Sequence, residues 1–337
     1  MFKHKNILLI IIIIALGLIA WGLYREGSLD EKTKQPQLRF SSNVDKIEIR
    51  QKDGAIILVK GKEDRWQVEK SGIAYPANQS ALDEIIKFFD DFTVGEIISQ
   101  NPDKYAELQV DEESGFLVKW FIKDKEEGKL ILGKSDYNRQ GDYIRIGDQT
   151  GVYLTSGNIK FNFSRPEFRD LNILSLKSEE IERVAWNYKD GEKLEIKKLK
   201  IEDAKESDKA EEANQSAESK AESNAKKWFL MDGDAKQELD ESKVNSLLGQ
   251  LSNLTATDML VKSVDKDYGF SEPFFKLTVG GADDQEYILT FGAQADEAPA
   301  YYAQISGNDE WVYLVDISTV QDQLAKKAGD FETTKEE

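Results

Sequence analysis

Four groups of residues in this sequence have types and spacings that could do chemistry. Asp232-Gly233-Asp234 and Asp265-Lys266-Asp267 resemble the start of calcium loops, in which closely spaced carboxylates supply oxygen ligands. The first fails at the third ligand position, where Lys236 stands, and it lacks the central glycine of an EF-hand. Asp90-Asp91 offers two carboxylates of the kind glycoside hydrolysis uses, but neighbours on a helix point apart, so they form no opposed pair. Trp66 and Trp228 could be sugar-stacking platforms. Each also follows strand alternation, which reads more simply as a plug that buries a large aromatic surface under a helix. Arg145 interrupts an otherwise apolar strand, as an edge or interface residue would.

The remaining chemistry is narrowed by what the chain lacks. It has no cysteine and one histidine, His4, placed beside a hydrophobic run, so thiolate, zinc-finger, iron–sulfur and Ser-His-Asp devices are excluded. No G-x-G-x-x-G or Walker-type loop occurs, and Gly280-Gly281 reads as a hairpin turn. No catalytic, cofactor-binding or metal-ligating residue is assigned, and the chain reads as a non-enzyme.

The elements around these residues are easier to read. The 337-residue chain is 40% hydrophobic and 32% charged, a composition that folds, and its length suits about two domains. Lys3, His4 and Lys5 precede an uncharged apolar stretch of 18 residues, Ile7 to Tyr24. As a helix it would cover about 27 Å, close to the hydrocarbon thickness of a bilayer. Trp21 and Tyr24 sit at its far end, suited to the headgroup layer. The alternative is a cleaved secretory signal ending near Ala20-Trp21-Gly22, but Leu23 and Tyr24 continue the apolar run. We expect residues 1–25 to be a cytoplasmic tip and membrane anchor. Basic residues on the near flank favour an N-terminus inside and the rest of the chain outside the cytoplasm, in the periplasm or beyond the cell. Without the three basic residues of 1–25, the chain carries 42 basic and 63 acidic groups, or −21. Nucleic acid and anionic lipid headgroups would repel it.

Beyond a polar stalk (26–43), one pattern is written twice. An alternating strand at Val44–Ile49 turns at Asp53-Gly54 and returns through Ile56–Val59. A tryptophan strand follows at Trp66. Helical spacing of Leu82, Ile85, Ile86 and Phe89 then begins after a cap at Asn78 or Ser80. Strands at Phe116–Ile122 and Lys129–Gly133 and a hairpin turning between Gly147 and Gly151 complete the copy. The second copy repeats Trp228, a helix with Val244, Leu247, Leu248 and Leu251, then Tyr268, Gly292 and Val312. Trp66 to Trp228 spans 162 positions, Tyr105 to Tyr268 163, Gly133 to Gly292 159 and Val152 to Val312 160, a nearly constant register. Ile47 to Val184 spans only 137, which places an added segment of about 25 residues at 201–225. That segment is charged and low in apolar content, and reads as a solvated hairpin extension.

These landmarks resemble the bacterial domain-of-unknown-function family 4340. The motifs are Trp66-Gln67-Val68, Tyr105-Ala106-Glu107-Leu108, Leu132-Gly133, Tyr143-Ile144-Arg145 and Val152-Tyr153. In the second copy Trp228, Tyr268-Gly269-Phe270, Gly292, Tyr302 and Val312-Tyr313 correspond, with Ala303 standing where the first copy has Arg145. The resemblance implies a single-span envelope protein that works beside an ABC-type permease and a gliding-motility-type accessory protein.

The expected fold class is α+β: an N-terminal transmembrane helix, then two tandem antiparallel sheets of six or seven strands (44–172 and 173–330), each with one main packed helix. Short helices at Ser156–Phe163 and Ile317–Lys327 close the two copies, and 331–337 form a disordered tail. The expected function is a membrane-anchored extracytoplasmic accessory or scaffold. The alternative is an extracytoplasmic ligand- or glycan-binding module.

Overall fold

The computed structural model describes residues 38, 40–51, 54–165, 167–201, 226–233, 235–281 and 285–332. The chain divides into two units between Asp170 and Leu171.

In the first unit an alternating strand, β1 (Lys46–Gln51), forms a hairpin with β2 (Gly54–Lys60). The chain then steps outward through β3 (Trp66–Lys70) and β4 (Ile73–Pro76). Helix α1 (Gln79–Asp91) follows, with Asn78 Oδ1 accepting the Ala81 N–H at 3.0 Å as its cap. Its buried face, Leu82, Ile85 and Phe89, has the spacing read from the sequence. Next come β5 (Ile97–Ser99), the helical turn α2 (Tyr105–Leu108), β6 (Phe116–Ile122), β7 (Lys125–Ser135), β8 (Asp142–Ile146), β9 (Val152–Leu154) and the short helix α3 (Lys160–Phe163). The sheet order is β4-β3-β2-β1-β6-β7-β8-β9-β5.

The second unit runs β10 (Ile181–Tyr188), β11 (Lys193–Lys200), β12 (Lys226–Asp232), β13 (Ala235–Glu238), α4 (Glu241–Ser252), β14 (Asp258–Val261), β15 (Phe275–Gly281), β16 (Glu286–Gln294), β17 (Ala300–Ile305) and β18 (Trp311–Asp316). Its order, β13-β12-β11-β10-β15-β16-β17-β18-β14, repeats the first strand for strand. The added segment lies between β11 and β12, which pair antiparallel up to Lys200 opposite Lys226; residues 202–225 are outside the described residues.

The α+β expectation is therefore corrected. The described residues are mostly two nine-stranded antiparallel sheets with few helices. The strands missed are β4, β5, β13 and β14, of three or four residues each, too short to show alternation. The closing helices also shrink, to Lys160–Phe163 and to one wide turn at Thr319–Leu324. No helix of the described residues is long and apolar enough to cross a membrane. The segment Ile7–Tyr24, where such a helix was expected, is outside the described residues.

Each sheet is covered on both faces. In the first unit α1 seals a core of Ile47, Ile49, Leu58, Trp66, Val118, Trp120 and Leu130. On the opposite face, the segment leading into β6 covers a smaller cluster of Leu108, Val110, Leu117, Ile131 and Val152. The second unit has the matching outer cluster around Tyr268, Tyr302 and Val312. The close approach of this segment explains the glycine landmarks. A Cβ on Gly133 would lie 2.3 Å from the Leu108 carbonyl oxygen, and one on Gly292 would lie 2.0 Å from that of Tyr268. Both glycines sit where the strand register shifts, as glycines at bulges do.

Candidate functional site

The two units each open a cleft at an equivalent place, where the end of the first strand meets the chain entering the strand beside it. In the first unit β1 ends at Arg50-Gln51 and β6 begins at Phe116, and the cleft between them holds about 780 Å³. In the second, Asn187-Tyr188 at the end of β10 face the chain entering β15 around a cleft of about 400 Å³.

The wall of the first cleft is a turn built by one carboxylate. Asp111 Oδ1 accepts the N–H groups of Glu113 at 2.9 Å and Ser114 at 2.8 Å, and its Oδ2 accepts the Ser114 hydroxyl. Burial opposes the Asp111 charge, yet the hydrogen bonds from Ser114 and the backbone hold its carboxyl below the usual range. The turn presents Glu112 to cations from two strands. Arg50 donates to the Glu112 carbonyl at 2.7 Å, with its guanidinium 4.0 Å from the carboxylate. Lys129 bridges Glu112 at 2.8 Å and Asp148 at 2.7 Å. The hydrogen bond from Lys129 holds Glu112 below its ordinary pKa, and those to Asp148 and Glu112 raise the lysine. Gln51 is tied to the Phe163 carbonyl at 3.1 Å.

The second cleft is lined differently. Lys189 pairs with Glu272 at 3.0 Å. The Tyr188 hydroxyl donates to the Lys326 carbonyl at 2.6 Å, and burial pushes its pKa up, so the phenol is a fixed donor rather than a base. Both clefts thus present polar groups engaged with one another. Such a surface suits docking of a polar ligand or an extended chain.

Residues singled out in the sequence are dispersed. Trp66 and Trp228 are 4% and 3% exposed, so they plug their cores and offer no face to a sugar. Asp90 and Asp91 end α1 in solvent. Asp232 is exposed, Asp234 lies outside the described residues, and Asp267 accepts the Gly269 N–H at 2.8 Å to close a turn. No group of three or more His, Asp or Glu side chains among the described residues is placed to hold a metal ion.

Three readings need correction. Gly280-Gly281 ends β15 and pairs with β10, rather than forming the hairpin turn. Arg145 lies on an interior strand, not an edge: its Nε donates to the Val110 carbonyl at 3.0 Å and its guanidinium stacks 4.6 Å over Tyr105, pinning the covering segment. Its counterpart is Gln304, not Ala303. Arg145 pairs with Ile131 and Gln304 with Thr290, at the same register of 159. Arg50, Glu112, Lys129 and Asp148 were not singled out. The Asp111–Gly115 turn chemistry is local and legible, whereas Arg50 meets Glu112 across 62 positions with no local mark.

The fold and clefts define a class: a tandem duplication of one antiparallel sheet unit, each copy carrying a polar cleft at the same place. Residues 66–227 and 228–336 each match the family described as Domain of unknown function (DUF4340). Together they span most of the chain, which belongs to that family. No curated protein and no solved structure matches it. Each matched segment begins at or next to a landmark tryptophan, Trp66 or Trp228, although each sheet begins two strands earlier.

Proposed function

We propose that this protein is an extracytoplasmic accessory or scaffold subunit, tethered to the cytoplasmic membrane through Ile7–Tyr24 with its N-terminus inside, and that it works in an envelope complex with an ABC-type permease. One observation carries the reading: a chain with an 18-residue uncharged apolar stretch behind Lys3 and Lys5 also repeats one sheet design in which the two equivalent clefts have different linings. A duplicated platform of that kind offers two related but distinct docking positions to an assembly. The net charge of −18 favours protein partners over nucleic acid or anionic lipid. Membership of the family supports it too, through the setting that its motifs imply.

Crosslinking in intact cells, followed by purification of the full chain, is expected to recover a permease. Replacing residues 7–24 by a cleavable signal should abolish that recovery. Recovery of cytoplasmic partners alone would contradict the reading.

The first cleft favours one alternative, an extracytoplasmic binding module for a polar ligand such as a glycan. At about 780 Å³ it is in the size range of small-molecule sites. Binding of soluble cell-wall fragments that is lost in Arg50→Glu, with folding intact, would select this alternative.

A further inference from the structure

β5 and β14 are the terminal strands at corresponding ends of the two sheets. Both keep branched apolar side chains in water: Ile97 is 42% exposed, Ile98 41% and Val261 40%. Terminal strands template pairing with another chain unless a charge, a proline or a cover blunts them. Here the apolar residues stand at the edge itself.

The inward hydrogen bonds fix which backbone groups face out. The Glu96 carbonyl accepts from Leu154 N–H at 2.9 Å, and Lys262 N–H donates to the Glu310 carbonyl at 2.8 Å. Alternation along a strand therefore turns the peptide groups of the adjoining residues, Ile97 and Val261, away from their own sheets. Set antiparallel with Ile97 opposite Val261, the two edges exchange a pair of N–H···O bonds. The same register puts Glu96 opposite Lys262 and Ile98 opposite Leu260, giving a charge pair and two aliphatic pairs. Lys262 gives one ammonium proton to Gln304 Oε1 at 3.0 Å, which leaves two for a carboxylate. The Met259 N–H is taken by Asp258 Oδ1 at 2.8 Å, so the ladder is confined to residues 96–98 and 260–262.

We propose that β5 of one copy of this chain pairs antiparallel with β14 of a second copy, with Ile97 opposite Val261 and Glu96 opposite Lys262. Each chain carries both edges. The inference stands independently of the proposed membrane complex.

The chain has no cysteine, which makes the test direct. Full-length Ile97→Cys and Val261→Cys variants, purified in detergent, are oxidised singly and as a mixture. Directly opposed, hydrogen-bonded residues about 5.5 Å apart at Cα suit a disulfide. The mixture is expected to form a disulfide-linked dimer faster than either variant alone. Adding Glu96→Lys to the Ile97→Cys chain should slow it by about threefold, and Lys262→Glu in the partner chain should restore it. Both cysteine sites are on the surface, and an unchanged thermal midpoint identifies a folded variant. Equal rates in all three reactions, no dimer, or a faster Ile97→Cys homodimer would overturn the proposal, as would indifference to the charge reversals.

Discussion

The two copies build one sheet order around differently distributed aromatic bulk. In the first, the large side chain is Trp120 on β6, opposite Ile47, and the residue facing it on β7 is Gly128. In the second, the position equivalent to Trp120 is Val279, and its neighbour on β16 is the large Tyr287. The second copy instead places Trp186 on β10, where the first has Ile49. The partner rings also come from opposite flanks. Phe40, ahead of the first strand, stacks on Phe89 at 4.4 Å, and Phe89 lies 5.1 Å from Trp120. Trp186 is instead met by Phe331, behind the last strand, at 6.0 Å, and its Nε1 donates to the Leu324 carbonyl at 2.7 Å. The facing pattern is kept while individual residues are exchanged. The fold is set by strand order and burial, and each copy is sealed by the chain that flanks it.

That comparison can be broken most severely at the tryptophans. Trp120→Ala and Trp186→Ala should each cost about 3–5 kcal/mol in denaturant unfolding. Trp186→Ala also strands the Leu324 carbonyl. Introducing Ile49→Trp into a Trp120→Val background should recover part of the loss, because it places the tryptophan where the second copy has Trp186. No recovery would mean that the two cores are not interchangeable.

Next in size are the glycines under the covering segments. Gly133→Ala and Gly292→Ala should each cost about 1–3 kcal/mol, and by similar amounts, since each added Cβ meets a backbone carbonyl. A loss at only one would deny the shared crossing.

The helix caps sharpen the contrast through pH. Asn78→Ala should cost about 1 kcal/mol at any pH. Asp240 caps α4 through the Ser242 N–H at 2.9 Å, and hydrogen bonds from Ser242 hold its carboxyl below the usual range. A lowered folded pKa gives stability that is present above the unfolded pKa and lost as pH falls through the folded one. Asp240→Ala should therefore be felt at neutral pH and vanish in acid, as read from unfolding midpoints across pH. The smallest effect belongs to the outer face. Lys119 and Glu126 pair at 2.8 Å where the second copy has Thr278 and Gln285. Grafting those residues, Lys119→Thr with Glu126→Gln, should cost under about 1 kcal/mol.

Much of this architecture was legible because it is local or repeated. Alternation located β1, β6 and β10, helical spacing located α1 and α4, and constant offsets revealed the duplication. Edge strands of three or four residues left no such trace. Ile73-Ala74-Tyr75-Pro76 even carries a proline, which a strand tolerates at an edge. Those omissions made the sheets look small and the helices too important. The glycines were visible as landmarks, but their cause, a carbonyl crossing from a distant segment, is tertiary. The clefts were less legible still. Only the Asp111 turn has a local pattern, while Arg50 and Lys129 reach Glu112 from separate strands and Asp148 meets Lys129 from a turn.

The central claim is that each copy closes its own core. Amide hydrogen exchange of the full chain carrying Trp120→Ala addresses it most directly. The account predicts lost protection in β1, β6 and β7 and unchanged protection in β10, β15 and β16. Equal loss of protection in both sheets would contradict it.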